Sequence, residues 1–151
     1  MIEFMHITSL ESALSILRSG RFHPVRGTQA DAGLNGLQLG RVGWNEQYFT
    51  GIGVRLFFQW SGPVEIGPGT TPNVLFDQMP HRVFVPAGTD QDLRLTGFKA
   101  AATTWEQHQF EIPWYCFGPS NRARARLRAM VNLQAEIDSI LETKPLISVI
   151  A

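Results

Sequence analysis

The sequence has almost no cysteine, no excess of charge of either sign and no long apolar run. Its single cysteine, Cys116, has no partner for an internal disulfide, so a framework of disulfide bonds is excluded. The 13 Lys and Arg residues balance the 13 Asp and Glu residues, and a formal net charge of zero gives no overall field that would attract a polyanion. Any contact with nucleic acid must therefore come from a local patch.

No stretch is long and apolar enough to span a bilayer, and the start of the chain lacks the basic flank and apolar run of a signal peptide. We therefore expect a cytoplasmic protein, acting in its own cell or in a target cell, with no membrane partner. The sequence also lacks a Walker loop, a GxGxxG dinucleotide fingerprint and a His/Cys spacing typical of metal sites. No metal site is predicted.

The composition is typical of one folded domain. With 151 residues, 44% hydrophobic and 17% charged, the chain is large enough to bury a core without disulfides or metals. It contains no internal repeat, low-complexity tract or linker. We predict a single domain over residues 1–151.

The stretch of greatest chemical interest is 107–117, with the sequence QHQFEIPWYCF. If it is extended, Gln109 and Glu111 lie on one face, roughly 7 Å apart, while Phe110 and Trp114 lie on the other. The more apolar face would enter a core and present the amide and the carboxylate on the opposite side. The pattern therefore predicts a strand that carries a functional site.

The start of the chain predicts a strand followed by a helix. Residues 2–7 place apolar side chains on both faces, as an interior strand does, and His6 is expected at the end of that strand. Thr8 and Glu11 have the spacing of a capping box, and Gly20 is a natural helix stop. We predict a helix between Thr8 and Gly20.

The other predicted elements follow from periodicity or from short apolar runs. They are strands at 54–60, 82–85 and 93–95, a helix from 122 to about 142 and a closing strand at 146–150. Residues 21–53 are rich in Gly, Asn and Gln and carry no predicted element. A connection of this length in a small domain is typically functional or mobile.

Two motifs together resemble the ADP-ribosyltransferase superfamily. His6-Ile7-Thr8 before a short helix and a glycine resembles the opening of its His-type members, most closely the DNA-targeting ADP-ribosyltransferase toxins, and Gln109-x-Glu111 resembles the late Q/E-x-E motif. The resemblance implies an α+β fold with a split, mostly antiparallel β-sheet core and flanking helices. It further implies NAD as co-substrate and transfer of ADP-ribose to a macromolecular acceptor.

The resemblance assigns catalysis to Glu111 and acceptor positioning to Gln109. A carboxylate can accept a hydrogen bond from a ribose hydroxyl and stabilise the oxocarbenium character of the transition state. His6 would contact a sugar hydroxyl, and the backbone of Ile7 would pair with the nicotinamide carboxamide. The residues themselves leave alternatives open: Glu111 and Gln109 as ordinary polar side chains on an exposed face, and His6 as a structural residue at a strand end.

The remaining NAD contacts need an aromatic platform for nicotinamide and an arginine for the pyrophosphate. Tyr48 and Phe57 are the predicted platforms, with the core as the alternative place for each, and Arg41 is the predicted phosphate ligand. Thr8 belongs to the same binding motif, with helix capping as its alternative role. Further candidates on the same grounds are Phe49 and Trp60 for the platform and Arg26 and Arg55 for the phosphates.

The predicted partners are NAD, a DNA, RNA or protein acceptor and an antitoxin or immunity protein, since a small enzyme of this type fits a bacterial or phage toxin. One alternative is an RNA 2'-phosphotransferase-like enzyme of the same fold, although a neutral chain offers little basic surface for RNA. The other is a non-enzymatic protein-binding module with exposed aromatics. The arginine run from 122 to 128 fits either phosphate contact or a solvated helix start.

Overall fold

The computed structural model describes residues 1–24, 33–39, 53–62, 65–66, 82–90 and 93–150. These residues form a mixed α/β structure of eight strands and three helices. In chain order they are β1 (Ile2–Thr8), α1 (Leu10–Ser19), β2 (Arg21–Phe22), β3 (Gly33–Gln38), β4 (Val54–Trp60), β5 (Glu65–Ile66), β6 (Arg82–Pro86), β7 (Leu93–Ala100), α2 (Ala102–Gln107), α3 (Pro119–Thr143) and β8 (Leu146–Val149).

The described strands form one sheet in the order β2-β8-β7-β4-β1-β3-β6-β5. Every neighbouring pair is antiparallel except β2 with β8, which is parallel. β4 is central, because it pairs with β1 along its whole length and with β7 on its other edge. The expected combination of helices with a mostly antiparallel sheet is confirmed.

The sheet is curled, because strands that are far apart in the strand order contact one another. Just after β6, Gly88 N–H donates to the carbonyl of Val149 in β8 at 2.7 Å, and Val149 N–H donates to the carbonyl of Thr89 at 2.7 Å. Across the interior, the ring of His6 in β1 meets the ring of Phe22 in β2 edge to face, with centroids 5.3 Å apart. Sheet twist accumulated over several strands allows this curling.

The main core fills the concave side of the sheet. Alternation along β4 directs Val54, Leu56, Phe58 and Trp60 into it, and Phe4 of β1 stacks on Phe58. The apolar face of α1 covers this side with Leu10, Ala13, Leu14 and Leu17, and α3 adds Leu133 and Ile137. A smaller cluster of Met5, Leu37, Ile7, Leu39 and Phe57 lies apart from this core.

α1 is confirmed, but its predicted cap is wrong. The N-cap is Ser9, whose side chain accepts a hydrogen bond from the N–H of Ser12 at 3.1 Å. Thr8 cannot serve as cap because it is still the last residue of β1, opposite Val54. Gly20 ends the helix in the left-handed region with φ of 68°, as predicted.

The predicted strand over 107–117 is wrong. The helix α2 ends at Gln107, and the residues that follow to 118 form no regular element. β4 pairs with one edge of β7, whereas β8 pairs with the other edge only at Leu93 and Arg94. No residue between 108 and 118 pairs with the rest of that edge. Pro113 also lacks the N–H that a ladder needs. Residues 108–118 are called the late segment below.

β2 and β3 were not predicted, because β3 contains two glycines that weaken a strand pattern. The sheet needs these glycines: a Cβ at Gly36 would collide with the ring of Phe4, and a Cβ at Gly33 with the carbonyl of Val85. β7 extends to Ala100, past its predicted end, and the helix predicted from 122 begins three residues earlier. Among the described residues, no helix has the length and apolar character needed to cross a bilayer.

Candidate functional site

Gln109 and Glu111 line an open cleft between α1 and α3, with a volume of about 690 Å³. The helix α1 contributes Glu11 and Arg18 to its walls, α3 contributes Glu136, and the late segment closes one side. Both Gln109 and Glu111 are exposed to solvent. The volume is within the range of small-molecule sites.

Arg126 of α3 fixes the late segment and the end of α2. Its Nη2 donates hydrogen bonds to the carbonyls of Trp105 at 2.6 Å and Glu106 at 3.2 Å, which are free at the C-terminal end of the helix. The guanidinium also lies over the ring of Phe110, 5.3 Å from its centroid, and that ring stacks on Trp105. Arg126 therefore holds Phe110, and with it the backbone between Gln109 and Glu111, against α3.

The start of α2 is anchored at the end of β1. Gly53, just before β4, accepts hydrogen bonds from Ala101 N–H at 3.1 Å and from Thr104 Oγ1 at 3.0 Å. Gly53 has φ of 56°, and a Cβ there would lie 2.5 Å from the carbonyl oxygen of Thr8. The end of β1, the start of β4 and the start of α2 therefore meet at one end of the sheet.

A second contact joins the late segment to the first turn of α1. His108 Nδ1 lies 4.0 Å from Glu11 Oε1, so a protonated His108 would form an ion pair there. Glu11 follows Thr8 by three residues in the chain. The segment with Gln109 and Glu111 thus packs beside the helix start that directly follows the His-x-Thr strand.

An ion pair closes the other end of the cleft. Arg18 donates to both carboxylate oxygens of Glu136, at 2.8 and 3.1 Å. The hydrogen bond from Arg18 lowers the pKa of Glu136 below its ordinary value. With Glu11 and Glu111 also on the walls, the cleft carries more carboxylates than cations. It suits a ligand group that is cationic or becomes cationic, and its one arginine is already engaged.

His6 lies inside β1 and not at its end. Its Nδ1 is 2.6 Å from the carbonyl oxygen of Asn35, and because a carbonyl only accepts, Nδ1 carries the proton. Burial lowers the pKa of His6, although the bond to Asn35 opposes this, so the ring is neutral at pH 7 and Nε2 is an acceptor. His6 is not among the residues that line the cleft.

The structure separates several predicted NAD ligands. Phe57 lies on the other face of the sheet from His6, in the smaller apolar cluster, so its ring cannot share a pocket with the imidazole. The side chain of Ile7 lies in the same cluster, but its predicted contact is through the backbone, which this placement does not test. Thr8 ends β1 beside Gly53. Arg41 and Tyr48 are outside the described residues. Gln109 and Glu111 are the predicted residues that the structure brings together in the cleft.

Three residues that shape this site were not predicted to do so. Glu11 was interpreted as a cap partner, His108 as part of the predicted strand, and Arg126 as one member of a run that fits either phosphate contact or a solvated helix start. Each acts through a contact between segments distant in the sequence, and no local pattern marks such a contact. No family model matches this chain, and no curated protein and no solved structure matches it either.

Proposed function

We propose that this protein is a NAD-dependent ADP-ribosyltransferase with an ADP-ribosyltransferase-like fold and a macromolecular acceptor. The proposal rests on one observation: the segment that carries Gln109 and Glu111 packs, through His108, against the first turn of the helix that follows His6-x-Thr8. The two motifs are about 100 residues apart in sequence. A shared NAD site requires the two motifs to be neighbours, and the contact between His108 and Glu11 supports this.

The reaction needs a carboxylate beside the nicotinamide ribose. A nucleophile on the acceptor attacks C1' of that ribose, the bond to nicotinamide breaks, and neutral nicotinamide leaves with the bonding electrons. Positive charge develops on the sugar, and the exposed carboxylate of Glu111 stabilises it. Glu11 gives the cleft the same sign of field, whereas the charge of Glu136 is neutralised by Arg18. The acceptor loses a proton to solvent.

The ring of His6 is in a tautomer that can bind a sugar hydroxyl. The bond to Asn35 fixes the tautomer, so Nε2 can accept a hydrogen bond from the hydroxyl while the ring stays neutral. In this structure His6 and Glu111 do not line one cleft. The proposal therefore requires that one NAD molecule touches both, and this requirement is its sharpest test.

Exposed aromatic side chains beside Glu111 favour a macromolecular acceptor. Trp114 is 82% exposed, Phe117 69% and Tyr115 64%. Large apolar rings rarely remain in water unless they contact another molecule, and flat rings bind both bases and protein side chains. Their position directly after Glu111 places that contact surface next to the proposed catalytic carboxylate.

The enzyme reading is tested with NAD labelled in its adenylate phosphate, incubated with the protein and with DNA, RNA or lysate protein in separate reactions. Nicotinamide release and label transfer are measured together. Glu111→Gln keeps the size of the side chain but removes its charge, and it should lower the rate about a hundredfold or more. Glu106→Gln is the matched control, because Glu106 is exposed on α2 and is not part of the cleft wall.

Two outcomes would remove the proposal. The first is a wild-type protein that neither releases nicotinamide nor labels any of the three acceptor classes. The second is a Glu111→Gln protein as active as the Glu106→Gln control. A product found on only one acceptor class would identify the acceptor.

A further inference from the structure

The outward side of α3 carries apolar side chains that no described residue covers. Leu127 is 56% exposed and Val131 58% exposed. At 100° per residue, these two side chains share one side of the helix, while Leu133 and Ile137 on the opposite side are buried in the core. We call the outward side, from Arg124 to Glu142, the outer face.

The outer face also carries charge of both signs, separated along its length. Arg124 and Arg128 lie in its first half, and Asp138 and Glu142 lie in its second half. All four side chains are exposed. Asp138 accepts one hydrogen bond from Gln134 through Oδ1 at 3.0 Å, which leaves its other oxygen available.

The arrangement is self-complementary. Arg124 and Glu142 lie at equal distances on either side of position 133, and so do Arg128 and Asp138. When a second copy of α3 is turned end for end about that position, each arginine of one helix meets a carboxylate of the other. Val131 then meets the partner's Ala135 near the twofold axis.

We propose that the outer face binds the outer face of a second copy of this chain, as an antiparallel pair of α3 helices around a twofold axis. Twofold symmetry makes each contact occur twice, giving four charge pairs around an apolar centre. A nucleic acid or an anionic membrane would bind the arginines but be repelled by Asp138 and Glu142. Charge complementarity therefore favours a second copy as the occupant.

The test uses two charge-reversed proteins and sedimentation equilibrium over a range of concentrations. The acidic variant is Arg124→Glu/Arg128→Glu, and the basic variant is Asp138→Arg/Glu142→Arg. In each variant alone, like charges meet across the twofold axis, so dimer affinity should fall at least about a hundredfold. Mixed in equal amounts, the two variants restore every opposite-charge pair and should form a one-to-one dimer.

Two further changes check the position of the contact. Val131→Lys places a charge near the axis and should also give a monomer, whereas Arg122→Glu reverses a charge outside the outer face and should leave the dimer unchanged. Circular dichroism confirms that each variant is helical. These substitutions are at exposed positions, and the charge reversals suit the helix dipole.

Three results would overturn the proposal. One is a wild-type chain that stays monomeric at every concentration. This result overturns the proposal equally if the monomer binds an oligonucleotide or vesicles through Arg124 and Arg128. Another is a dimer that persists in either charge-reversed variant alone. The last is a mixture of the two variants that remains monomeric.

Discussion

Replacement of Arg126 by leucine should detach the late segment from α3. The substitution removes three hydrogen bonds, to the carbonyls of Trp105, Glu106 and, at 3.5 Å, His108, and the cation–π contact with Phe110. A hydrogen bond from a charged donor contributes about 1.5–3 kcal/mol and a partly buried cation–π contact about 1 kcal/mol. Because released carbonyls can bond to water, we expect a loss of about 2–4 kcal/mol from the free energy of unfolding.

Urea denaturation followed by tryptophan fluorescence measures this loss, and hydrogen exchange over residues 101–111 locates it. The stability of Arg126→Lys should lie between those of the wild type and Arg126→Leu, since an ammonium can bond one carbonyl but cannot lie flat over Phe110. Arg122→Leu, an exposed change one turn earlier on the same helix, is the matched control and should cost under about 0.5 kcal/mol. An Arg126→Leu protein as stable as this control, with unchanged exchange over 101–111, would refute the anchoring role.

Two other predictions concern the end of the sheet where the site is built. Gly53→Ala should lower the free energy of unfolding in urea by about 1–3 kcal/mol, because φ is positive and a Cβ would also lie 2.5 Å from the Thr8 carbonyl oxygen. Gly88 has a positive φ of 90° too, but a Cβ there meets no atom within 4 Å, so Gly88→Ala carries the backbone strain alone and should cost less. His6 has a lowered pKa in the folded state, so below pH of about 6.5 the unfolded chain binds its proton more readily and stability falls. The urea midpoint should therefore drop on acidification from neutral pH, and less so in His6→Asn; an equal drop in both proteins would show that another group is responsible.

Elements with strong local patterns could be predicted from the sequence. In β4, the pattern of side chains over 54–60 was sufficient to predict the strand, and in the structure Val54 and Phe58 enter the core. In α1, periodic leucines and Gly20 decided the helix, although the cap moved by one residue to Ser9. Local chemistry was sufficient in both elements.

The late segment could not be predicted, because its alternating residues imitate a strand. Phe110 is partly buried because it stacks on Trp105 and lies under Arg126, and not because it joins the sheet. Whether a further strand pairs with β7 depends on how the whole chain packs. β3 is a strand without a strand-like sequence, because it contains Gly33 and Gly36. A Cβ at these two positions would collide with the Val85 carbonyl and the Phe4 ring.

The candidate site was predictable only where its residues are close in sequence. Gln109 and Glu111 reach the same cleft because one residue separates them. The contact of His108 with Glu11 depends on packing between distant segments. The separation of Phe57 from His6 depends on register, since β1 and β4 pair residue by residue and set which face each side chain takes.

The most direct test of the account is a titration with NAD, followed by the NMR signals of the His6 ring and the Gln109 side-chain amide in one labelled sample. If a single NAD molecule lies between the two motifs, both signals shift with one and the same dissociation constant, and Glu111→Gln weakens both responses together. If NAD shifts one signal alone, or neither at concentrations where calorimetry detects binding, the imidazole and the carboxylate do not belong to one site.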